Sequence, residues 1–436
     1  MLRPGWVLSC VLALAAVSAA QVPERAAASL DPCARAVVVT GERLGPVRGL
    51  RPAQLWLGAW RDGQLRAIPF QVDERVPGGD YAWSDGDERK SDVDGGRLDE
   101  DDELVFYARD AGDRAPAREV QLGQALVLEL ELADPARGGQ AWVYLLAFAE
   151  GTAPPAGSPE DRASIVTREG EQVGFEGQRL SLLGSPGGDN LLHLRELRLK
   201  EADGWGPDLL DRFKLSLTAS YLFTGIERAQ DEVRGGLRGW RDGPVRVVAR
   251  GSVETYLIWG HWIRSVPGGA RLVMWEDRLE LSCAVRLPID LELDARSELR
   301  LSFDLSPEVP ELRVWTETHG ERMRPGRIPA RALERGAPRW VAVGGPGGTL
   351  VVRLDPGQSL RRAGNALFLR DDPRPDPPED HPGSHLNVGW TLDLTGLRGG
   401  VHQLGLELRA APPARDGAET AAHLAAAAGP LQVTVR

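Results

Sequence analysis

Short segments that alternate apolar and polar residues recur along this chain, and they constrain its fold more than any other feature. Segments 125–132 (ALVLELEL) and 298–305 (ELRLSFDL) place an apolar residue at every second position, the period of a strand with one buried face. Longer segments at 245–262 and 271–293 predict long strands, the second with a tight turn inside it. Helical periodicity is sustained only in the alanine-rich stretch 418–429. We therefore predict an all-β protein built of antiparallel β-sandwiches.

Proline and glycine divide the predicted strands into regions. The segment 150–164 (EGTAPPAGSPEDRAS) is typical of a linker, because proline cannot complete a strand ladder. It separates a predicted N-terminal β-sandwich domain with an acidic loop, residues 21–149, from a larger sandwich or supersandwich, residues 165–410. The stretch 306–312 is a candidate seam that would split the larger sandwich in two. Residues 411–436 are expected to form a short helix and a last strand.

Residues 1–20 have the pattern of a secretory signal peptide. Arg3 precedes an apolar run, and the small residues before Gln21 suit cleavage at that point. No later stretch is apolar and long enough to span a membrane. We therefore expect a soluble exported protein, periplasmic or extracellular. The net charge of −11 argues against a nucleic-acid partner.

Export would place Cys33 and Cys283 in an oxidising compartment, where two cysteines can form a disulfide. Such a bond would join the N-terminal region to the middle of the chain. Sequence spacing does not show whether the two Cα atoms approach closely enough, so two unpaired thiols remain the alternative.

The stretch 91–112 (SDVDGGRLDEDDELVFYARDAG) combines a run of aspartates with a double glycine and an abrupt strand. Carboxylate oxygens on a flexible loop are the ligands that Ca²⁺ prefers. The EF-hand template is excluded, because Gly96 and Arg97 occupy positions that it assigns to a ligand and to the obligatory glycine. A solvated acidic turn and a catalytic carboxylate pair are the alternatives. The candidate calcium ligands are Asp92, Asp94, Asp99, Asp101 and Asp102.

An aromatic cluster at the end of the long predicted strand 245–262 is a candidate ligand platform. Its residues are Tyr256, Trp259, His261 and Trp262. Flat aromatic rings on a β-scaffold can stack on the apolar faces of sugars. Tryptophan also fills sandwich cores, because each ring buries a large area, and that reading stays open here.

Two pairs of segments resemble a group of uncharacterised exported bacterial proteins. The first pair is AIPFQVDERV (67–76) followed by LDEDDELVFYARDAGDR (98–114), and the second is LLDRFKLSL (209–217) with RGWRDGPVRVVAR (238–250). The resemblance implies an exported all-β protein. It assigns no activity and transfers no functional residue.

A looser resemblance connects the long strands between 190 and 305 with the β-supersandwich of mutarotase-like proteins and polysaccharide lyases. Those enzymes use clustered polar side chains on a concave face, and the resemblance here remains at the level of the fold. If this chain is an enzyme, the candidate catalytic residues are His193, Glu196, Tyr256 and His261.

The sequence favours a protein that binds rather than catalyses. It carries no Gly-x-Ser-x-Gly elbow, His-Glu-x-x-His, Cys-x-x-Cys or phosphate loop. The first hypothesis is an exported envelope protein that binds a glycan, an envelope component or a protein partner, with a structural Ca²⁺ ion. A carbohydrate lyase or epimerase is the alternative, and a structural subunit of an envelope assembly is a third.

Overall fold

A computed structural model provides the coordinates of most of the chain. It describes residues 27–31, 35–120, 125–168, 172–186, 190, 192–221, 224–229, 232–259, 262–291, 296–309, 311–328, 337–345 and 347–436. The predicted signal peptide, residues 1–20, lies outside the described residues. The described chain consists of antiparallel β-sheets with two short α-helices, so the predicted all-β fold class is confirmed.

The N-terminal region contains ten strands. Its bounds are β1 Ala36–Thr40, β2 Leu55–Arg61, β3 Gln64–Ala67, β4 Gln71–Asp73, β5 Arg75–Val76, β6 Asp80–Tyr81, β7 Asp85–Gly86, β8 Glu103–Tyr107, β9 Leu126–Ala133 and β10 Gln140–Ala147. Strands β1, β8 and β4 form one sheet, and β9, β10, β2 and β3 belong to a second. Alternate residues such as Leu130, Leu132, Leu104 and Phe106 are buried in a shared core.

The segment expected to be a linker has no strand or helix over residues 152–162. It is nevertheless held against the protein, since the indole N–H of Trp56 donates to the carbonyl of Ala156 at 3.2 Å. A five-stranded sheet follows, in the order of the chain. Its strands are β11 Ala163–Arg168, β12 Gln172–Gly177, β13 Leu180–Pro186, β14 Glu196–Glu201 and β15 Gly204–Trp205.

Most of the rest of the chain forms the large sandwich, and the strand at 432–435 joins the second N-terminal sheet. The elements are β16 Leu210–Tyr221, β17 Thr224–Ala229, β18 Leu237–Asp242, β19 Val247–Trp259, β20 Trp262–Met274, β21 Arg278–Leu287, β22 Glu298–Leu305, β23 Arg313–Thr316, β24 Trp340–Gly345, β25 Gly348–Pro356, α1 Gln358–Ala363, β26 Asn365–Asp372, β27 Ser384–Asp393, β28 Gly400–Ala411, α2 Gly417–Ala427 and β29 Gln432–Val435.

Two sheets of the large sandwich face each other across a core of leucine, valine and phenylalanine side chains. One has the order β17-β16-β22-β27-β26, and the other has nine strands in the order β23-β24-β25-β28-β21-β20-β19-β18-β7. The edge strand β7 comes from the N-terminal region and pairs Asp85 with Trp240. The two parts of the chain therefore share a sheet.

The alanine-rich stretch forms α2, capped by the Asp416 carboxylate, which accepts a hydrogen bond from the Glu419 N–H. The chain then returns to the N-terminal region. Strand β29 pairs with β9, with Val433 opposite Leu132 and buried in the N-terminal core. The predicted last strand thus completes a sheet that begins far earlier in the chain.

Within the described part of the chain, neither α-helix has the length and apolar character that crossing a bilayer requires.

Candidate functional site

The segments that carry the family resemblance meet at a buried junction between the N-terminal region and the large sandwich. The Oε1 atom of Gln71, from segment 67–76, accepts hydrogen bonds from the backbone N–H groups of Val245 and Arg246, both at 2.9 Å. Gly243 permits this approach, because a Cβ at that position would lie 2.6 Å from the same oxygen. The junction depends on this backbone contact.

Arg246 is the centre of the charges at this junction. Its guanidinium group donates to Asp73 at 2.8 Å and to Glu103 at 2.5 Å. It also lies 5.0 Å from the ring centroid of Trp275 and 5.6 Å from that of Tyr81. Asp73 is fully buried. Each charge is therefore paired where water is excluded.

A second buried group lies beside the first. Arg162 donates to Asp110 at 3.0 Å and to Glu276 at 3.1 Å, and Arg109 also pairs with Glu276. The Tyr107 hydroxyl accepts a hydrogen bond from the Glu276 N–H at 3.1 Å. Burial raises the pKa of Glu276 to about 7, against the opposing effect of Arg109. These residues join the end of β8 to the β20–β21 turn, which makes their role structural.

The candidate catalytic residues lie on different sheets. His193 precedes β14 in the β11–β15 sheet, and Glu196 is the first residue of that strand. The Glu196 carboxylate is held by Arg168 at 2.7 Å and by Arg198 at 2.9 Å. Tyr256 belongs to β19 in the nine-stranded sheet. His261 lies outside the described residues, so the catalytic hypothesis stays a prediction.

The aromatic cluster falls at the end of the hairpin formed by β19 and β20. The backbone register pairs Trp259 with Trp262 and Tyr256 with Ser265. The side chains of the three aromatic residues, like His261, lie outside what the structure describes. The ligand-platform hypothesis is therefore located on the fold and otherwise stays a prediction.

An apolar cleft lies between the two sheets of the large sandwich. Along β21, Leu279 is buried, whereas the next inward positions, Leu281, Cys283 and Val285, are only half-buried. Strand β28 shows the same gradient from Leu408 to Leu404. Inward-facing apolar residues lose burial where the facing sheets separate. Among the described residues, the sandwich is thus well covered at the Leu279 end of β21 and less covered at the Leu287 end, which we call the open end.

The open end contains a cavity of about 180 Å³. Its walls are strands β16 and β22 on one side and β19, β20, β21 and β28 on the other, together with residues from connecting segments. The wall residues are Leu192, Phe213, Leu215, Leu217, Val233, Val253, Thr255, Val266, Leu281, Cys283, Val285, Leu287, Leu291, Leu299, Leu301, Leu360, Leu394, Leu397, His402, Leu404 and Leu406.

The polar groups of the cleft wall already have partners within the protein. The Thr255 hydroxyl donates to the Glu232 carbonyl at 3.3 Å. His402 lies 2.8 Å from the Arg398 carbonyl through Nε2 and 3.0 Å from the Ser359 hydroxyl through Nδ1. Burial raises the pKa of the Cys283 thiol to about 11, so the thiol is neutral near pH 7. The cleft therefore suits an apolar ligand and not a sugar.

The sequence analysis did not single out these residues. Each is an ordinary inward-facing position of a strand, and sequence alone does not show whether the facing sheet closes over it. One sequence signal could have indicated the cleft. Apolar residues alternate to the end of β21 at Leu287, beyond the part of the strand that the sandwich core covers fully.

The acidic loop between β7 and β8 brings the predicted metal ligands into two groups. Ligand oxygens of Asp92, Asp94 and Asp99 lie within 4.8 Å of one another, and so do those of Asp99, Asp101 and Asp102. Asp102 is buried, and its two oxygens accept hydrogen bonds from the N–H groups of Arg75 and Asp99, both at 2.8 Å. Asp102 therefore holds the loop to β5.

The expected disulfide stays a prediction. Cys283 lines the cleft and is bonded to no other described residue through its sulfur, and Cys33 lies outside the described residues.

Comparison with known proteins gives few matches. No family model matches the chain, and no curated protein matches it. Among solved structures, an alpha-mannosidase from Enterococcus faecalis V583 is similar with a TM-score of 0.44 and 10% sequence identity. A glycosyl hydrolase family 38 protein from Enterococcus faecalis is similar with a TM-score of 0.43 and 10% identity.

The matched regions cover 94% and 93% of this chain, but only 45% and 46% of the two glycosidase-related structures. This chain thus matches less than half the length of either protein. Likenesses at this level carry no inference about activity, and the functional argument rests on the cleft.

Proposed function

We propose that this chain is an exported envelope protein that holds the acyl chain of a lipid, or of a lipid-linked envelope component, in the cleft of the large sandwich. The observation that carries the proposal is the cavity between the two sheets of the large sandwich. Its walls are almost wholly apolar, and the hydroxyl of Thr255 and the ring of His402 are already hydrogen-bonded. An acyl chain needs no polar partner inside such a site.

The size of the cavity also suits an apolar ligand. Its volume is about 180 Å³. An apolar cavity of comparable size, roughly 150 Å³, is known to bind small hydrocarbons. A longer chain would continue out of the open end between the half-buried residues.

The long hairpin supports the entry of a ligand at the open end. Thr255 and Val266 are paired across β19 and β20 and line the cleft, whereas the Trp259–Trp262 pair lies four residues farther along each strand. At about 3.3 Å per residue, the hairpin extends roughly 13 Å beyond the last lining pair. It therefore continues past the cleft on the side where the sandwich is open.

Binding of fatty acids of increasing chain length, measured by calorimetry and by native mass spectrometry, tests the proposal. We expect affinity to rise with chain length until the cleft is full, since each buried methylene contributes about 0.8 kcal/mol. Equal and negligible binding across the whole series would contradict an acyl-chain site.

A matched pair of variants locates the binding. Cys283→Phe fills the cleft and should weaken fatty-acid binding by about tenfold or more, equivalent to at least about 1.4 kcal/mol. Ser282→Phe adds the same ring one residue earlier, on the exposed face of β21, and should leave binding unchanged. Equal losses in both variants would place the ligand elsewhere.

Export is a separate part of the proposal. It rests on the signal-peptide pattern of residues 1–20, and the N-terminal sequence of protein from a periplasmic or culture fraction tests it. We expect the mature chain to begin at Gln21. Recovery of the intact N-terminus from the cytoplasmic fraction alone would contradict export.

A further inference from the structure

Three carboxylates converge in the loop between β7 and β8, far in sequence from the cleft residues. Ligand oxygens of Asp92, Asp94 and Asp99 lie within 4.8 Å of one another. Repulsion between carboxylates at this separation is unfavourable unless a proton or a cation offsets it. Acidic residues often cluster on surfaces, so a binding site requires a further observation.

That observation is the state of Asp92. Its exposed fraction is 9%, and both of its carboxylate oxygens are buried without a hydrogen-bond partner in the protein. Burial of an unpaired carboxylate is costly, because the protein replaces none of the water that the charge has lost. One of the two oxygens lies within 4.8 Å of a carboxylate oxygen of Asp94 and of Asp99. A cation bound beside Asp92 would balance this buried charge.

The neighbouring residues fix the loop and keep carboxylate oxygens available. Asp94 accepts hydrogen bonds from the N–H groups of Gly96 and Arg97 through Oδ1, at 3.0 and 3.1 Å. Asp99 accepts one from the Asp101 N–H through Oδ1, at 3.0 Å. These contacts use one oxygen of each aspartate. The Oδ2 atoms of Asp94 and Asp99 accept none of these hydrogen bonds.

The charges around the group are mostly negative. Glu74 approaches from the strand side, with Oε1 lying 3.2 Å from the position that a Cβ on Gly96 would occupy. The nearest positive charge to Glu74 is that of Arg241, whose Nη1 atom lies 4.0 Å from Glu74 Oε2. The guanidinium of Arg97 is directed to the Gly49 carbonyl at 2.7 Å. The local charge therefore favours a cation.

We infer that Asp92, Asp94 and Asp99 form a calcium site, with Glu74 as the fourth carboxylate nearby. The donors are all oxygen atoms, which suits a hard cation and not zinc. Calcium fits better than magnesium, because carboxylates on an irregular loop meet its flexible coordination, whereas magnesium requires near-octahedral geometry. Asp102 is not a ligand, since Arg75 and Asp99 occupy both of its oxygens.

The site is independent of the acyl-chain proposal, and calcium alone tests it on the full chain. Protein treated with a chelator and then titrated with CaCl₂ should bind one ion calorimetrically and melt at a higher temperature. Absence of heat and an unchanged melting temperature would overturn the inference. An equal melting shift with MgCl₂ at the same concentration would overturn the assignment to calcium.

Asp92→Asn and Asp87→Asn form a matched pair, because both remove one negative charge from the same acidic stretch. Asp87 is exposed and lies outside the group, so that variant should keep the full calcium response. Asp92→Asn should weaken calcium binding by about tenfold or more. It should also melt higher than the wild type when calcium is absent, since it removes the buried charge. Calcium binding that is unchanged in Asp92→Asn would overturn the site.

Discussion

The domain junction and the cleft differ from the usual expectation that charged clusters form functional sites and apolar residues form the core. The junction concentrates charged residues, yet Arg246 pairs with Asp73 and with Glu103 away from solvent. The cleft consists of leucine and valine positions typical of a core, yet they line a cavity of about 180 Å³. The comparison indicates that a cluster of buried charges can be structural, whereas the site proposed for binding has an apolar wall.

The two regions also differ in what their disruption should cost. A buried ion pair contributes little net stability, but removal of one partner leaves an unpaired charge in an apolar environment. A wall residue of an open cleft can lose methylenes at small cost, because solvent or a ligand replaces the contact. Stability should therefore be concentrated at the junction and the closed core, and binding at the cleft.

The largest effect is expected for Arg246→Met. The substitution leaves Asp73 and Glu103 buried without their cation and should lower the free energy of unfolding by about 3–5 kcal/mol. Urea denaturation provides the measurement. Arg250→Met is the control four residues later, where the side chain is 46% exposed and pairs with Asp80, and it should cost about 1 kcal/mol or less. Equal losses of unfolding free energy in the two variants would contradict a special contribution of the buried junction.

A second comparison tests the closed and open ends of the sandwich on a single strand. Leu305 in β22 is 1% exposed, and Leu305→Ala should cost about 2–5 kcal/mol in urea denaturation. Leu299, six residues earlier, is half-buried at the cleft, and Leu299→Ala should cost about 1 kcal/mol while weakening fatty-acid binding. A larger stability loss at Leu299 would mean that the cleft is part of the closed core.

A smaller effect is expected in the pH dependence of the free energy of unfolding, through Asp102 in the acidic loop. Burial raises the pKa of Asp102 to about 6, whereas an aspartate in an unfolded chain titrates near about 4. The folded state therefore binds the proton more tightly. Its contribution, at most roughly 3 kcal/mol, is fully present below about pH 4 and is lost as pH rises through about 6.

Denaturation of the chelator-treated protein between those pH values measures this contribution. Asp102→Asn should flatten the dependence of stability on pH, although it also weakens the loop by replacing an oxygen that accepts a backbone hydrogen bond. The slope of the free energy of unfolding against pH, and not its absolute value, shows whether Asp102 is the titrating group. Asp87→Asn should retain the wild-type slope, and an unchanged slope in Asp102→Asn would show that another group is responsible.

Much of the fold could be predicted from the sequence, because strand periodicity is local. The alternation in 298–305 corresponds to β22, Glu298–Leu305, and the tight turn in 271–293 separates β20 from β21. The return of β29 to β9 could not be predicted, since a four-residue strand gives no signal about its distant partner. Pairing between strands depends on the whole arrangement and not on the segment itself.

The candidate site was less accessible to sequence reasoning. The aspartates of the acidic loop could be selected because their side-chain chemistry is distinctive. Only the fold shows that the Asp92 carboxylate lacks a hydrogen-bond partner whereas that of Asp102 accepts hydrogen bonds from the backbone. Cleft residues such as Leu281 and Leu299 could not be selected, because a filled and an unfilled sandwich use the same apolar positions. The two cases differ in how completely the facing sheet covers these positions, which the sequence does not show.

The position of β29 has a consequence for biogenesis. Val433 belongs to the core formed by residues 37–147, so that core lacks part of its packing until residues 432–435 have been synthesised. Contacts so distant in sequence slow folding, because a very long loop must be ordered before they form. Until then β9 presents an unpaired edge on which another chain can add a strand. A nascent chain of this protein would therefore depend on residues 432–435, or on a chaperone acting in their place, to keep this edge covered.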